Sequence, residues 1–173
     1  DNLEDFEVLG LSAKSNKCLL EERSGDFGLQ LGCTLDFEEM KKMVSHPEVD
    51  MAVFACSGTE VIDVLMLAIQ NKKEIAIANK ELIVEYGEQI MKEAKKHHVQ
   101  LIPIDSEHSG VFQILNENKN REIEKIILTC SGGPFLNTEE SEFKSITFDQ
   151  AIQHPNWDMG KKISVDSATM MNK

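Results

Sequence analysis

The sequence is short of positive charge: 18 Lys plus Arg stand against 30 Asp plus Glu, a net charge of −12. A nucleic-acid binder neutralises phosphates with a basic face, so no nucleic-acid partner is expected. Long apolar runs are missing too. The stretch 64–69 is typical of the longest, far below the ~18 residues a membrane span needs, and no membrane association is expected. No basic-then-apolar leader opens the chain. Cysteine is scarce: Cys18, Cys33, Cys56 and Cys130 lie far apart, and none forms a Cys-x-x-Cys pair. Neither a structural zinc site nor a disulfide framework is expected, which favours a reducing compartment. Internal repeats and low-complexity segments are absent. What remains is 173 residues, 41% apolar and 28% charged, the composition of a soluble globular protein of one domain or a tight pair.

Residues 6–13 (FEVLGLSA) form a strand-like run with little polar alternation, as in a strand covered on both faces. A small polar stretch, 12–17, can cap a helix through Leu19 and Leu20, whereas the glycine-bearing stretch 23–34 carries no clear pattern. Asp36 is a natural N-cap for a helix over 36–44, with Glu38 and Glu39 in its first turn and Pro47 beyond its end. A regular rhythm follows: buried strand 50–56, helix 59–73 with an inner stripe of Val61, Val64, Leu65, Ala68 and Ile69, and strand 74–78. Next come helix 82–98, with Ile83, Gly87, Ile90, Met91 and Ala94 inside, and strand 100–105, which Pro103 marks as an edge or an end. The expectation is an α/β fold, a Rossmann-like, mostly parallel sheet with helices on both faces. Beyond residue 104 the pattern changes: helix 107–115, strand 124–130, a sharp turn at 131–134, short helix 148–153, loop 154–162, strand 163–165 and a helix opening at 168–173. Two domains are expected, 1–104 and 105–173, the second part of an α+β domain.

Ligands of open parallel sheets sit beyond the carboxyl ends of the strands. Asn79-Lys80-Glu81 lies at one such end, either as a helix cap with solvated charges or as a fixed cation aimed at an anionic ligand. At another, Asp105-Ser106-Glu107-His108 sets two carboxylates at i and i+2. An extended backbone puts both on one face, within reach of a hard cation such as Mg²⁺ or Mn²⁺; an N-cap with an acidic first turn accounts for the same residues. Ser131-Gly132-Gly133-Pro134-Phe135 is a tight turn or a phosphate cradle. Ser167, Asn172 and Lys173 around a helix start are an anion site or ordinary surface. The loop His154-Pro155-Asn156-Trp157-Asp158-Met159-Gly160 carries the one tryptophan of the sequence, as a lid or as a core plug. Histidines 46, 97 and 98 are expected to be solvated.

The order of these segments along the chain resembles a known family. ANKE (78–81), PIDSEH (103–108), SGGPF (131–135) and HPNWDMGKKISVDSATMMNK (154–173) are similar to the 1-deoxy-D-xylulose 5-phosphate reductoisomerases, which use NADPH and a divalent metal to make 2-C-methyl-D-erythritol 4-phosphate on the non-mevalonate isoprenoid route. The similarity runs from about residue 51 to the end and is looser before it. It implies that 1–104 is part of an NADPH-binding domain and 105–173 part of a catalytic one. Asp105 and Glu107 would hold Mg²⁺ or Mn²⁺. Lys80, Glu107 and His154 would be catalytic. Lys80, Ser106, Glu107, Ser131, His154, Trp157, Ser167, Asn172 and Lys173 would bind the sugar phosphate substrate. Ser15, Asn16, Asn79, Glu81, Met159 and Gly160 would meet NADPH, with Ser15 and Asn16 near its 2′-phosphate and Met159 against the nicotinamide. A homodimer of the full-length parent is implied, in a bacterial cytoplasm or a plastid-type organelle.

Several positions depart from the family pattern. No glycine-rich pyrophosphate loop precedes Phe6, Lys14 stands where glycine is common, 17–51 is shorter than usual, and Ser109-Gly110 replaces Asn or Ser followed by Ala. A third metal carboxylate and a C-terminal helical domain would lie past Lys173. The sequence, which opens on Asp1 rather than Met, is thus expected to be a central piece of a longer protein, without turnover and with weak NADPH and metal binding. Two other readings are a degenerate, non-catalytic nucleotide- or anion-binding protein that keeps the fold, and a metal-dependent sugar-phosphate aldolase or isomerase without nicotinamide.

Overall fold

Short apolar runs separated by helical stretches of eight to eighteen residues pair in parallel, because each helix carries the chain back to the same end of the sheet. The computed structural model follows that rule; it describes residues 6–118, 122–129, 132–156, 158 and 160–167. The chain divides into two compact units, Asp1–Asp105 and Ser106–Lys173.

The first unit runs β1 (Gly10–Ser12), α1 (Lys17–Ser24), β2 (Gly32–Thr34), α2 (Phe37–Ser45), β3 (Met51–Phe54), α3 (Ile62–Gln70), β4 (Glu74–Ile77), α4 (Lys80–His97) and β5 (Leu101–Pro103). All pairings are parallel: β1 with β2, and β3-β4-β5 in that order, with Ala52 opposite Ile75 and Ile75 opposite Leu101. The parallel architecture is as expected, built as two sheets. Ile75, Ala76 and Ile77 are buried on both faces of the central strand, which is why that run shows no polar alternation. Pro103, with no N–H to donate, ends the edge strand β5. The inner stripe of α3 (Val64, Leu65, Ala68, Ile69) packs with Met40 of α2 and with Leu82, Ile90 and Ala94 of α4 in one core.

Local signals account for most boundaries. Asp36 Oδ1 accepts the N–H groups of Glu38 and Glu39 at 2.9 and 3.0 Å and starts α2 as expected. Other expectations need correction. Residues 6–9 are not strand and Phe6 is exposed, because pairing in β1 extends only as far as β2 reaches. In β3 one face is open, with Val53 62% exposed. The buried stripe of α4 is Leu82, Ile90 and Ala94 with half-buried Tyr86, while Met91 is 59% exposed and Ile83 is also exposed. The cap at Asn79 begins this helix two residues earlier than the periodicity suggested, and the 82-86-90-94 row joins the core. His97 is half-buried and bonded to Glu93 Oε1 at 3.1 Å rather than solvated.

In the second unit α5 (Ser106–Glu117) is followed by an irregular stretch, 122–129, then a 3-10 helix (Glu140–Ser145), α6 (Phe148–Ala151) and α7 (Lys161–Ser167). Thr147 and Gln150 close a capping box at α6. The strand expected over 124–130 is absent from its described residues: a strand exists only in a ladder, no pairing partner is found among the described residues, and Ile123, Ile126 and Ile127 are exposed. The strand expected at 163–165 is helix instead. The Ser164 N–H donates to Gly160 O at 2.9 Å, and Lys162 Nζ meets Asp166 Oδ2 at 2.6 Å, an i,i+4 pair that only a helix brings together. The helix opening expected at 168–173 lies outside the described residues.

Candidate functional site

Parallel pairing gathers the strand ends of the first unit into neighbouring loops, and the polar residues fall there. Asn79, directly after β4, is the best anchored. It is only 3% exposed; its Oδ1 accepts the Leu82 N–H at 3.0 Å, capping α4, and its Nδ2 donates to Gly58 O at 2.8 Å and to Cys56 Sγ at 3.9 Å. Glu81, in the first turn of α4, accepts the Gly58 N–H. The loops after β3 and β4 are therefore stitched together through both peptide groups of Gly58. That residue has φ +85°, a left-handed backbone that L side chains rarely adopt, so the turn favours glycine.

Lys80 is the first residue of α4, and Asp105 follows β5. The Lys80 ammonium lies 2.5 Å from Asp105 Oδ2, with the two side chains 25% and 10% exposed. This pair unites two residues expected in the site and gives the carboxylate a cation at close range. On the next loop Lys14 Nζ donates to Glu60 Oε1 at 2.6 Å. The hydrogen bond and charge of Glu60 raise the Lys14 pKa, and Lys14 lowers that of Glu60. Asn16 Oδ1 caps α1 by accepting the Leu19 N–H at 3.1 Å, and the Ser15 carbonyl accepts the Lys17 N–H.

The second unit supplies the remaining described candidates. Glu107 lies in the first turn of α5 and accepts a hydrogen bond from Ser106 Oγ at 3.1 Å. His154 Nδ1 accepts the Asn156 N–H at 3.2 Å. His154, Asn156 and Asp158 line a cavity of about 370 Å³ together with buried Ser164, and Gly160 leads into α7 with open space where a Cβ would stand. Ser131, Trp157, Met159, Asn172 and Lys173 lie outside the described residues, as does the side chain of Ser167. Gly58 and Glu60 were missed by the sequence reasoning, although the strand-end rule applied to β3 points to them.

The donor chemistry of Asp105 and Glu107, two hard carboxylates two residues apart, suits Mg²⁺ or Mn²⁺, and Asp105 already faces a positive charge. Among the described residues no group of three or more His, Cys, Asp or Glu is placed to hold a metal ion. No helix of the described residues is long and apolar enough to cross a membrane.

The family model described as 1-deoxy-D-xylulose 5-phosphate reductoisomerase matches residues 1–87, and that for the C-terminal domain of the same enzyme matches 101–173. The reductoisomerase of Ruminiclostridium cellulolyticum is 42% identical over 97% of this chain and 50% of its own length. That of Lachnoclostridium phytofermentans is 43% identical over 99% and 50%. Among solved structures, a DOX-P reductoisomerase in complex with NADPH, fosmidomycin and magnesium superposes with a TM-score of 0.73 at 33% identity, covering 98% of this chain and 44% of that one. The Zymomonas mobilis enzyme in complex with NADPH gives 0.75 at 28% identity, covering 99% and 49%. The chain thus spans about half the length of the curated relatives it matches. With family models matched along nearly all of it, the chain belongs to the 1-deoxy-D-xylulose 5-phosphate reductoisomerase family.

Proposed function

We propose that the chain carries the nucleotide-binding and metal-binding parts of an enzyme that rearranges 1-deoxy-D-xylulose 5-phosphate and reduces it to 2-C-methyl-D-erythritol 4-phosphate with NADPH. The observation that supports this most is the Lys80–Asp105 pair at the carboxyl ends of a parallel sheet, beside the buried Asn79 anchor, in a chain of this family. Residues 1–104 are the NADPH-binding part and 105–173 the catalytic part.

Each residue has a role its chemistry suits. Asn79 holds the loops after β3 and β4 at fixed separation, and Glu81 fixes Gly58, so that backbone can approach the dinucleotide closely. Ser15, Asn16, Met159 and Gly160 complete the cofactor contacts. Asp105 and Glu107 hold the divalent cation. When bound, the cation supplies a Lewis acid for the substrate's ketone and hydroxyl oxygens, and NADPH supplies the hydride. Lys80 gives a positive charge to the anionic substrate, and His154 offers an imidazole for proton transfer, with Nδ1 set by the Asn156 N–H. Ser106, Ser131, Trp157, Ser167, Asn172 and Lys173 bind and orient the sugar phosphate, whose anchoring places the reacting carbons. We further propose a homodimer of the parent, no nucleic-acid partner, and the cytoplasm of a bacterium as the compartment.

Two titrations on the 173-residue chain test this reading: NADPH followed by its fluorescence, and Mn²⁺ followed by electron paramagnetic resonance. Saturable binding of both is expected, with Asp105→Asn losing the metal but keeping the nucleotide. A folded chain that takes up neither would leave the degenerate, non-catalytic reading in its place.

A further inference from the structure

We propose that Lys80 is a built-in placeholder for the divalent cation: its ammonium neutralises Asp105 until the metal arrives, and the metal then displaces it toward the anionic ligand. This rests on the reading of Asp105 as a metal ligand.

The argument begins with what is fixed and what can move. Asp105 lies two residues past β5, whose last residue, Pro103, is registered against Ile77, and its side chain is 10% exposed. Lys80 is rooted in the first turn of α4, immediately after the buried cap Asn79. Its backbone is therefore held, while its four-carbon stem leaves the ammonium free to swing. The ammonium is 2.5 Å from Asp105 Oδ2.

A carboxylate this sheltered is costly to leave without a cation, and Lys80 meets that need without metal. A divalent ion bound to the same carboxylate, at the ~2.0–2.1 Å typical of Mg²⁺, would bring two cations within a few ångströms of each other in a low-dielectric corner. Their repulsion drives the ammonium off. Metal uptake thus has to work against the Lys80–Asp105 pair, and the freed ammonium becomes available to an anion. The two events are coupled and, by linkage, the coupling is reciprocal: an anion that draws Lys80 away strengthens metal binding.

Mn²⁺ titrations near pH 8 test the idea on the folded chain, with circular dichroism reporting the fold of each variant. Lys80→Met removes the competitor and is expected to tighten Mn²⁺ binding about tenfold, equivalent to ~1.4 kcal/mol. Lys80→Arg, which keeps the cation, is expected to stay near the parent, and Asp105→Asn to lose the site. Unchanged or weaker Mn²⁺ binding by a folded Lys80→Met would overturn the placeholder while leaving Asp105 as a ligand. Binding that Asp105→Asn does not alter, or no binding by either the parent or Lys80→Met, would remove the metal reading and the placeholder with it. If Lys80→Met does not fold, acetylation of the parent chain with an activated ester, read by mass spectrometry, gives the answer. Mn²⁺ should raise modification at Lys80 relative to the other lysines, and no rise would overturn the proposal.

Discussion

The two units of this chain solve the same problem differently. In Asp1–Asp105 the site residues stand in the loops that follow strands or in the first turn of a helix, and every apolar side chain found buried lies there, between Leu20 and Ala94. In Ser106–Lys173 Ser106 and Glu107 open a 12-residue helix while His154 and Gly160 sit in loop, and among the described residues Ser164 is the buried polar side chain. Precision in the first unit comes from packing, with helices and strands holding the strand-end loops from below. In the second it comes from local hydrogen bonds such as the Thr147–Gln150 box and the Lys162–Asp166 pair.

The largest effect expected from that difference is a contrast between two truncations. Leu65 is fully buried in the core of the first unit, and Leu65→Ala should cost about 2–5 kcal/mol through lost burial and a cavity. Ile127, a residue of the same size, is 74% exposed in the second unit, and Ile127→Ala should fall within ~0.5 kcal/mol of the parent. Urea denaturation of both variants measures the contrast. Comparable losses would mean that the second unit has a core of its own.

A smaller effect is expected at the junction of fold and site. Asn79→Ala removes a helix cap, typically worth ~0.5–2 kcal/mol, and leaves the Gly58 carbonyl without its amide partner. A loss of about 2 kcal/mol is the expected total, together with weaker NADPH binding, because the loops after β3 and β4 are no longer tied. Asn79→Asp keeps the cap oxygen and loses the donor to Gly58. A folded Asp variant with restored stability and still-weak NADPH binding would separate the two jobs; identical behaviour of both variants would show a single structural role.

How much of this was legible in the sequence depended on range. The Asp36 cap, the α3 stripe and the strand β4 were readable because each is set by residues within one or two helical turns. The phase of α4 was misread because Ile83, Gly87, Ile90, Met91 and Ala94 make as good a stripe on paper as Leu82, Tyr86, Ile90 and Ala94. Only the cap at Asn79 and the sheet beneath decide between them. Stretches 124–130 and 163–165 looked like strands because apolar β-branched residues fit one, but no propensity shows whether a partner strand exists. In the site, each strand-end cluster was visible, yet Lys80 and Asp105 are twenty-five positions apart, and their ion pair follows from β4 and β5 being neighbours. Gly58 escaped notice because its value lies in two backbone groups rather than in a side chain.

The smallest effect concerns Lys14 and Glu60, which join the loop after β1 to the loop after β3, and so link the two sheets through solvent-facing atoms. Lys14 holds the Glu60 carboxyl below its ordinary 4.5, and Glu60 raises the Lys14 ammonium above its ordinary 10.5. The sign of the pH dependence follows from each shift. A lowered carboxyl contributes stability that is present above its ordinary value and is lost as pH falls through the folded one. A raised ammonium contributes below its ordinary value and loses that as pH rises through the folded one. The pair therefore acts at full strength between those limits and fades at both extremes. Both side chains are more than half exposed, so mobile ions screen them strongly. Glu60→Gln should be slightly less stable than the parent at neutral pH and low salt. The difference should vanish in about 1 M salt, where the screening length is ~3 Å, and shrink as pH falls below the ordinary 4.5 of the Glu60 carboxyl. A difference that survives high salt would mean that Glu60 acts through the Gly58 turn it adjoins rather than through Lys14. The strand-end loops of the first unit would then be held by steric fit as much as by charge.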